Sequence, residues 1–461
     1  MLVPNYKALF TVRSILIKLS LVLLLISCQK EMAPTYTASG KVMDDFGNGM
    51  EGIEVSTATG KSALTDAQGN WALTELQGRH TLSPADPGYL FTPSSAEVKE
   101  SAGNINFTAS HVTNENETRI LNWFNQQQLP NGLLESAENG NVVSLYDNAL
   151  AALVFMLNGN LERAERIFDF FDARIHTELL SGKGGFSQFR DRNGNPNNHR
   201  WMGDNAWLLI ALNNYHARTG SSKYHQLASG ISNWLMTLQD TDGGLFAGYG
   251  ADNAILNYKV TEGNIDAFNA VKGYNTFHSR LLTFLENDRW DEADRNLVSW
   301  PGNPAYRYAL DNHSWSYCIF NNYPVSTLYS AQRFITTQTA TLTNARITGY
   351  DIDEDRDAVF MEGTGQMALA FKLAGMQQES DHYLLEMEKI LVPSPRHTNA
   401  YGFPYSSNAG TGYGNDPLWP EASTQIALSG GAWYLFASSG FNPFAVERHK
   451  SIPQADMFWQ D

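Results

Sequence analysis

Six stretches of the chain place a carboxylate just before or within the first turn of an apolar, helix-like segment. Such acids commonly cap a helix or interact with its dipole. When several share one partly desolvated opening, however, they repel one another and some of their pKa values rise. Hydrolysis of a glycosidic bond needs one protonated and one ionised carboxyl group. The acids are Asp147, Asp204, Glu262 with Asp266, Asp311, Glu362 and Glu421.

Two of these acids are the preferred candidates for catalysis. Glu262 and Glu362 are each expected to precede a helix by a few residues and therefore to face the shared opening. We assign Glu262 as general acid and Glu362 as base, and the reverse assignment stays open. The other acids rank below this pair, Asp204 and Asp266 as further catalytic candidates and Asp147, Asp311 and Glu421 as groups that bind the substrate.

Aromatic residues accompany the same segments. They make up 12% of the chain, and their flat apolar faces could stack on sugar rings, although a large helical protein also buries aromatic side chains in its core. The predicted substrate-binding residues are Trp201, Trp207, His313, Trp315, Tyr405 and Trp419.

The spacing of the acids indicates the elements that hold them. Successive helix starts lie about 45 to 62 residues apart, which is enough for one helix, a return helix and two loops. Intervening segments such as 161–171 and 224–238 have one apolar face, whereas the segments behind the acids are apolar all round. This pattern predicts six hairpins in a closed ring, with the amino ends of the inner helices at one opening.

Three of these helix starts carry a resemblance to a known family. The stretches 147–149 (Asp-Asn-Ala), 262–268 (Glu-Gly-Asn-Ile-Asp-Ala-Phe) and 362–368 (Glu-Gly-Thr-Gly-Gln-Met-Ala) resemble the six-hairpin glycosidase superfamily. The resemblance covers residues 115–445 and implies an (α/α)6 toroid that acts on a poly- or oligosaccharide, most directly as a glycoside hydrolase.

Residues 36–110 read as a separate all-β segment. Short strand-like runs alternate with turns such as 45–49 and 66–70. The stretches 40–42, 52–55, 65–71 and 87–93 resemble the carboxypeptidase regulatory-like β-sandwich, which implies a spacer or assembly module without chemistry of its own. The predicted fold class is therefore multidomain and mainly α, an (α/α)6 toroid with a small N-terminal β-sandwich.

The first 27 residues read as a bacterial lipoprotein signal peptide. Lys7, Arg13 and Lys18 precede a short apolar run, and the run ends at Cys28, whose context resembles a lipobox. This resemblance implies lipidation of Cys28 and attachment to the cell envelope, at the outer membrane and with possible surface exposure. Cys318 has no further cysteine as a partner, so no internal disulfide is expected.

Charge limits the classes of partner. The formal net charge of -16 repels phosphate backbones, so nucleic acid is not expected as a partner. No histidine pair has zinc spacing, and no metal is assigned. Asp351, Asp353 and Asp355 follow the spacing of a calcium loop, but Arg356 stands where an EF-hand needs glycine, so calcium is an open possibility and not an EF-hand prediction.

Two other functions remain open at this stage. A polysaccharide lyase or sugar epimerase on the same fold would move a proton with groups such as His313, Tyr317 and Arg200. A non-catalytic surface glycan-binding lipoprotein would retain glycan affinity without turnover.

Overall fold

A computed structural model describes residues 34–45, 47–86, 88–303, 306–411 and 421–460. The predicted signal peptide (1–27), the lipidation site Cys28 and the predicted substrate-binding residue Trp419 lie outside the described residues. Contacts divide the chain into two compact units. The smaller lies within residues 34–107, and the larger comprises 108–460 together with 43–48 and 88–90.

Residues 36–111 form eight strands in two four-stranded sheets, with strand orders β4-β1-β8-β6 and β3-β2-β5-β7. In the second sheet β2 pairs antiparallel with both β3 and β5, with Val55 opposite Ala63 and Pro84. Along β4, Trp71 and Leu73 are buried while their neighbours are exposed, as expected of a strand with one face on a core. The strands are β1 (Tyr36–Asp44), β2 (Glu54–Thr57), β3 (Ser62–Leu64), β4 (Asn70–Leu76), β5 (His80–Ala85), β6 (Tyr89–Thr92), β7 (Ala96–Val98) and β8 (Phe107–His111).

The larger unit is helical, with short strands in its connections, so the described chain is a mixed helix and sheet structure. None of the described helices combines the length and apolar character needed to cross a membrane. The helices are α1 (Glu115–Gln127), α2 (Leu145–Leu157), α3 (Leu161–Asp172), α4 (Met202–Thr219), α5 (His225–Thr237), α6 (Thr261–Ala270), α7 (Thr276–Asp288), α8 (Asp311–Ile319), α9 (Ser326–Ser330), α10 (Met361–Leu373), α11 (Gln377–Glu388), α12 (Leu428–Ser439) and α13 (Ala445–Arg448).

Short strands and single turns occupy the loops between these helices. A π-helical turn spans Ile175–Leu179, and 3₁₀ turns span Ala331–Phe334 and Gln454–Asp456. The strands are β9 (Val143–Ser144), β10 (Phe189–Arg190), β11 (Arg200–Trp201), β12 (Gly248–Tyr249), β13 (Ile255–Leu256), β14 (Trp290–Asp291), β15 (Asn296–Leu297), β16 (Ile335–Thr339), β17 (Arg346–Tyr350), β18 (Val392–Pro393), β19 (Tyr401–Pro404), β20 (Gly410–Thr411), β21 (Glu421–Ala422) and β22 (Ile426–Ala427).

Six helices contact one another in a closed cycle. Each of α2, α4, α6, α8, α10 and α12 contacts the next, and α12 contacts α2. The remaining long helices pack against them, α3 on α2, α5 on α4, α7 on α6, α11 on α10 and α1 on α12, and the short α9 packs on α8. The inner helices are buried on nearly all faces, whereas α3 has a clear apolar stripe. This difference explains their different sequence patterns.

The sixth predicted helix start is wrong. Glu421 lies in β21, seven positions before α12 begins at Leu428, and α12 has no acid in its first turn. The backbone between them forms β22 instead, which pairs with β19. The expectation that Glu262 and Glu362 precede their helices is also wrong, because each is the second residue of α6 or α10.

A buried amide fixes the start of three inner helices. The fourth residue of α2, α4 and α6 is Asn148, Asn205 or Asn264, and each is fully buried. The Asn205 side chain accepts a hydrogen bond from the Phe186 N–H at 2.9 Å and donates to the Phe186 carbonyl at 3.0 Å. It also donates to the Trp201 carbonyl at 2.9 Å, one turn back. These bonds tie the helix to the preceding loop and satisfy backbone groups that burial would otherwise leave unpaired.

The other two asparagines make the same set of bonds. Asn148 bonds the backbone of Leu134 through both its oxygen and its nitrogen, and Asn264 does so with Leu245. In α10 the fourth residue is Thr364, whose hydroxyl accepts from the Tyr350 N–H at 3.1 Å. The full set of bonds is therefore made in three inner helices, and α10 makes the bond to the backbone N–H and the bond one turn back.

The segment after α12 closes the far end of the ring. Asn214 and Asn269 donate to the carbonyls of Pro443 and Phe444, and Asn442 donates to that of Cys318. The Phe444 ring, which is fully buried, lies 4.9 Å from the ring of Trp207. The C-terminal segment is thus held beneath the inner helices by buried amides.

We expect Asn205→Ala to lower the free energy of unfolding by about 2–4 kcal/mol, because it leaves the buried Phe186 N–H and carbonyl without partners. Urea unfolding followed by circular dichroism measures the change. Asn287→Ala, at an exposed position of α7, is the matched control. If Asn205→Ala lost no more free energy of unfolding than this control, the role of Asn205 in holding the preceding loop would be contradicted.

Candidate active site

The amino ends of five inner helices, α2, α4, α6, α8 and α10, contribute residues to one cavity. Its empty space, counted together with open solvent at the mouth, is about 880 Å³. Five predicted acids line it, together with the predicted aromatic residues Trp201, Trp207, Trp315 and Tyr405. The lining acids are Asp204, Glu262, Asp266, Asp311 and Glu362.

Asp147 lies behind this lining. Its side chain is only 9% exposed. Burial raises the pKa of Asp147 to about 8, with further repulsion from Glu362 and Asp204. Asp147 therefore belongs to the same electrostatic cluster without lining the cavity, and its predicted contact with substrate does not follow from its position.

His313, Glu421 and Trp419 are not placed in the cavity by the structure. The backbone of Glu421 lies in β21 and its side chain is not among those described, and Trp419 lies outside the described residues. His313 is fully buried, with Nδ1 3.1 Å from the Ala309 carbonyl and the ring packed edge-on against Phe334. Burial lowers the pKa of His313 to about 3. Its predicted role in substrate binding is wrong.

Helical geometry explains this error. Asp311 and Trp315 are four positions apart in α8 and line the cavity together. His313 lies between them and is rotated by about 200° from Asp311, onto the opposite face of the helix. Tyr317 and Arg200, the other groups considered for proton transfer by a lyase or epimerase, are also absent from the described lining.

Glu362 is held by donors from three elements. The Tyr146 hydroxyl donates to Oε1, and Gln366 Nε2 donates to the same oxygen at 3.2 Å. The Trp433 indole N–H donates to the Tyr146 oxygen at 2.9 Å, so the tyrosine proton is directed at the carboxylate. Burial raises the pKa of Glu362, and these hydrogen bonds oppose the rise by stabilising its charged form.

The neighbouring aspartates have much less compensation. Burial and repulsion from Glu262 and Asp311 raise the pKa of Asp266 well above its usual value. Burial, with Glu362 and Glu262 as neighbouring charges, does the same for Asp311. Burial also raises the pKa of Asp204 to about 7. The cavity therefore combines a glutamate that accepts hydrogen bonds from neighbouring side chains with aspartates whose pKa values are raised with less compensation.

Aromatic rings line the cavity and pack behind its lining. The Trp207, Trp315 and Trp433 rings lie 5.4–6.4 Å apart and pack on Phe444, and all four are almost fully buried. Nearer the opening, Trp201 and Trp300 each lie about 6 Å from Tyr258, and Phe360 lies 5.0 Å from Tyr405. The site is thus a blind pocket with apolar walls and acidic groups at the helix ends.

Sequence reasoning missed several lining residues, among them Tyr146, Gln188, Trp300 and Phe360. Tyr146 had a detectable signal, because it is the second residue of α2, the position held by Glu262 in α6 and Glu362 in α10. Trp300 and Phe360 lie in connections whose path depends on tertiary packing. Their approach to the cavity leaves no periodic pattern.

The acids that the structure brings together differ from those of the predicted calcium loop. Carboxylate oxygens of Asp351, Asp355 and Asp357 lie within 4.8 Å of one another and could hold a metal ion. Asp353, which the sequence pattern includes, is not part of this group and accepts a hydrogen bond from the Asp355 N–H. Arg356 adopts φ 58°, so this position takes the left-handed conformation without a glycine.

Comparison with solved structures identifies proteins of the same fold. A glycosidase variant aligns with a TM-score of 0.52 at 12% sequence identity, over 71% of this chain and 96% of its own. An α-amylase from Clostridium perfringens aligns with a TM-score of 0.50 at 13% identity, over 71% of this chain and 98% of its own. A glycosidase variant in complex with glucose also gives 0.50 at 13% identity, over 71% of this chain and 96% of its own. No protein-family model matches the chain, and no curated protein matches it.

These buried acids should make stability fall as pH rises. An aspartate whose pKa is raised in the folded state stays protonated there while the unfolded chain ionises, so its stabilising effect is present below pH 4 and is lost up to pH 7–8. We expect the thermal midpoint to decrease by several degrees between pH 5 and pH 8. The Asp147→Asn, Asp204→Asn double variant should decrease less, whereas Glu286→Gln, an exposed control, should follow the parent. A pH dependence identical in all three proteins would refute this origin.

Proposed function

We propose that the protein is a carbohydrate-active enzyme of the (α/α)6 toroid class, and within that class a glycoside hydrolase. The closed cycle of six inner helices with outer partners supports the toroid assignment. The shared fold with glycosidases and an α-amylase supports the class of substrate. The acid-lined, aromatic cavity supports a sugar as the bound group.

One observation carries the choice of hydrolysis: a donor-supported carboxylate and a proton-holding carboxyl group line the same cavity. Glu362 accepts from Tyr146 and Gln366, which favours its ionised form. Asp311 is raised in pKa by burial and by Glu362, which favours its protonated form. Glycosidic cleavage uses this pair of protonation states.

The proposed reaction follows from these states. Asp311 donates its proton to the glycosidic oxygen, and the bond from that oxygen to the anomeric carbon breaks. Glu362 removes a proton from the water that attacks the anomeric carbon, so the products are two free sugar hydroxyl groups. Tyr146 and Gln366 position Glu362 and stabilise its charge, and the aromatic walls exclude bulk water.

This proposal changes one expected role. Glu262 is the general acid in the expectation from sequence, whereas here Asp311 takes that role. Asp311 is preferred because its pKa rises through both Glu262 and Glu362, which is expected of a group between the two glutamates. Glu262 then completes the acidic lining and helps to keep the proton on Asp311 and Asp266.

We also propose that the protein is exported and attached to the bacterial cell envelope by a lipid at Cys28. The basic start, apolar run and terminal cysteine of residues 1–28 support this. Residues 36–111, with their two four-stranded sheets, lie between the proposed anchor and the helical unit in the sequence and would act as a spacer module of the carboxypeptidase regulatory-like kind.

The roles of the two acids can be separated by leaving-group chemistry. We expect Asp311→Asn and Glu362→Gln each to lower kcat about 10²–10⁴-fold on a natural glycosidic bond, and Glu262→Gln to lower it less than tenfold. The substrate is identified first by product analysis over a panel of plant and bacterial oligosaccharides. A dinitrophenyl glycoside of the same sugar needs no proton donor, so it should restore turnover in Asp311→Asn but not in Glu362→Gln.

The opposite pattern would assign the roles differently. If the dinitrophenyl glycoside restored turnover in Glu262→Gln, and Asp311→Asn kept full activity on the natural bond, Glu262 would be the general acid. Glycan affinity without turnover in the parent protein would instead support a binding protein. An unsaturated product that absorbs in the ultraviolet would indicate a lyase.

Lipid attachment gives a separate prediction. In a bacterial host that processes lipoproteins, the parent chain should incorporate labelled palmitate and sediment with membranes. Cys28→Ala should lose both properties, because a thioether-linked lipid needs the cysteine sulfur, whereas Cys318→Ala should keep them. Equal membrane association of all three proteins would argue against the anchor.

A further inference from the structure

We propose that the cavity selects sugars by charge, favouring a sugar unit with a protonated amine over a neutral one and rejecting a unit with a carboxylate or sulfate. This inference rests on the proposed function, since it names the substrate class of the same site. It concerns binding, so it can be tested apart from turnover.

The first support is the composition of the lining. Among the described residues that line the cavity there is no Lys, Arg or His, while five carboxyl groups line it. Asp147, behind the lining, adds a sixth acid to the cluster. An anionic ligand would therefore enter a partly desolvated space whose described lining holds five carboxyl groups and no cation to offset its charge, whereas a cation would favour ionisation of the carboxyl groups whose pKa values burial raises.

The second support is a pair of buried carboxyl oxygen atoms that lack a hydrogen-bond donor in the part of the chain that the structure describes. Oδ1 of Asp266 and Oδ1 of Asp311 are buried and have no hydrogen-bond partner among the described residues. Asp266 is only 2% exposed, and both side chains line the cavity. Buried acceptors of this kind need donors. An ammonium group offers three donors and a positive charge, whereas each sugar hydroxyl offers one neutral donor.

The basic group that interacts with this cluster lies outside it. Arg289 interacts electrostatically with Glu262. It does not line the cavity, and its guanidinium donates to the Lys259 carbonyl at 3.0 Å. It therefore supplies no positive charge to the cavity lining itself.

The test compares sugars that differ in charge and share one ring. Binding of glucosamine, glucose, N-acetylglucosamine and glucuronate to the full-length protein at pH 7 is measured by calorimetry and by tryptophan fluorescence. The galactose series is measured in parallel. In at least one series we expect the amino sugar to bind at least tenfold more tightly than the neutral sugar and the uronate at least tenfold more weakly. The N-acetyl sugar, which lacks the charge, should bind no more tightly than the neutral sugar.

Variants locate the effect. Asp266→Asn should remove most of the preference for the amine, and Glu286→Gln, on the surface of α7, should retain it. The unaltered protein tests the proposal even where the variant does not fold. Equal affinity for the amino and neutral sugars, uronate binding as tight as that of the neutral sugar, or no binding in either series would overturn it.

The failure of this inference can be distinguished from the failure of the proposed function. Charge-ordered binding without turnover of any glycan would refute hydrolysis and support charge selection. Efficient hydrolysis of uronate-rich or sulfated glycans would support hydrolysis and overturn charge selection.

Discussion

The side-chain amides at the fourth position of the inner helices are the interaction on which the site depends. A helix buried on all faces has no polar surface to fix its rotation or height, so its neighbours could accept several registers. Asn148, Asn205 and Asn264 remove this freedom, because each satisfies both backbone groups of a residue in the preceding loop. The helix starts are thereby placed at one end of the ring, where the acids meet.

Burying several acids together costs free energy, and the acids differ in how many hydrogen bonds they receive to offset this cost. Glu362 receives donors from Tyr146 and Gln366, and Ser314 in turn holds the Gln366 amide oxygen at 3.0 Å. Asp266 and Asp311 each have one such hydrogen bond, and burial and neighbouring carboxyl groups raise their pKa values well above the usual range. The number of donors around each carboxyl group thus sets how far burial raises its pKa.

The parts of the site that are local in sequence could be predicted, and the parts set by packing could not. Acids at the starts of α2, α4, α6, α8 and α10 followed from periodicity, because cap and helix are adjacent in the chain. The prediction that Glu421 lies at the start of a helix was wrong because the strand β22 lies between Glu421 and α12. The prediction that His313 binds substrate did not take account of the helical wheel, which places His313 on the opposite face of α8 from Asp311. The contact between Tyr146 and Glu362 joins residues 216 positions apart, and no local pattern records such a pairing.

The aromatic packing behind the cavity includes Phe444, which follows the last inner helix in the chain. Phe444 reaches Trp207 and Trp315 only because Asn214 and Asn269 hold the backbone at residues 443 and 444. A nascent chain that does not yet include residues 443 and 444 cannot complete this packing. The aromatic support behind the pocket can therefore form only after all six inner helices have been synthesised.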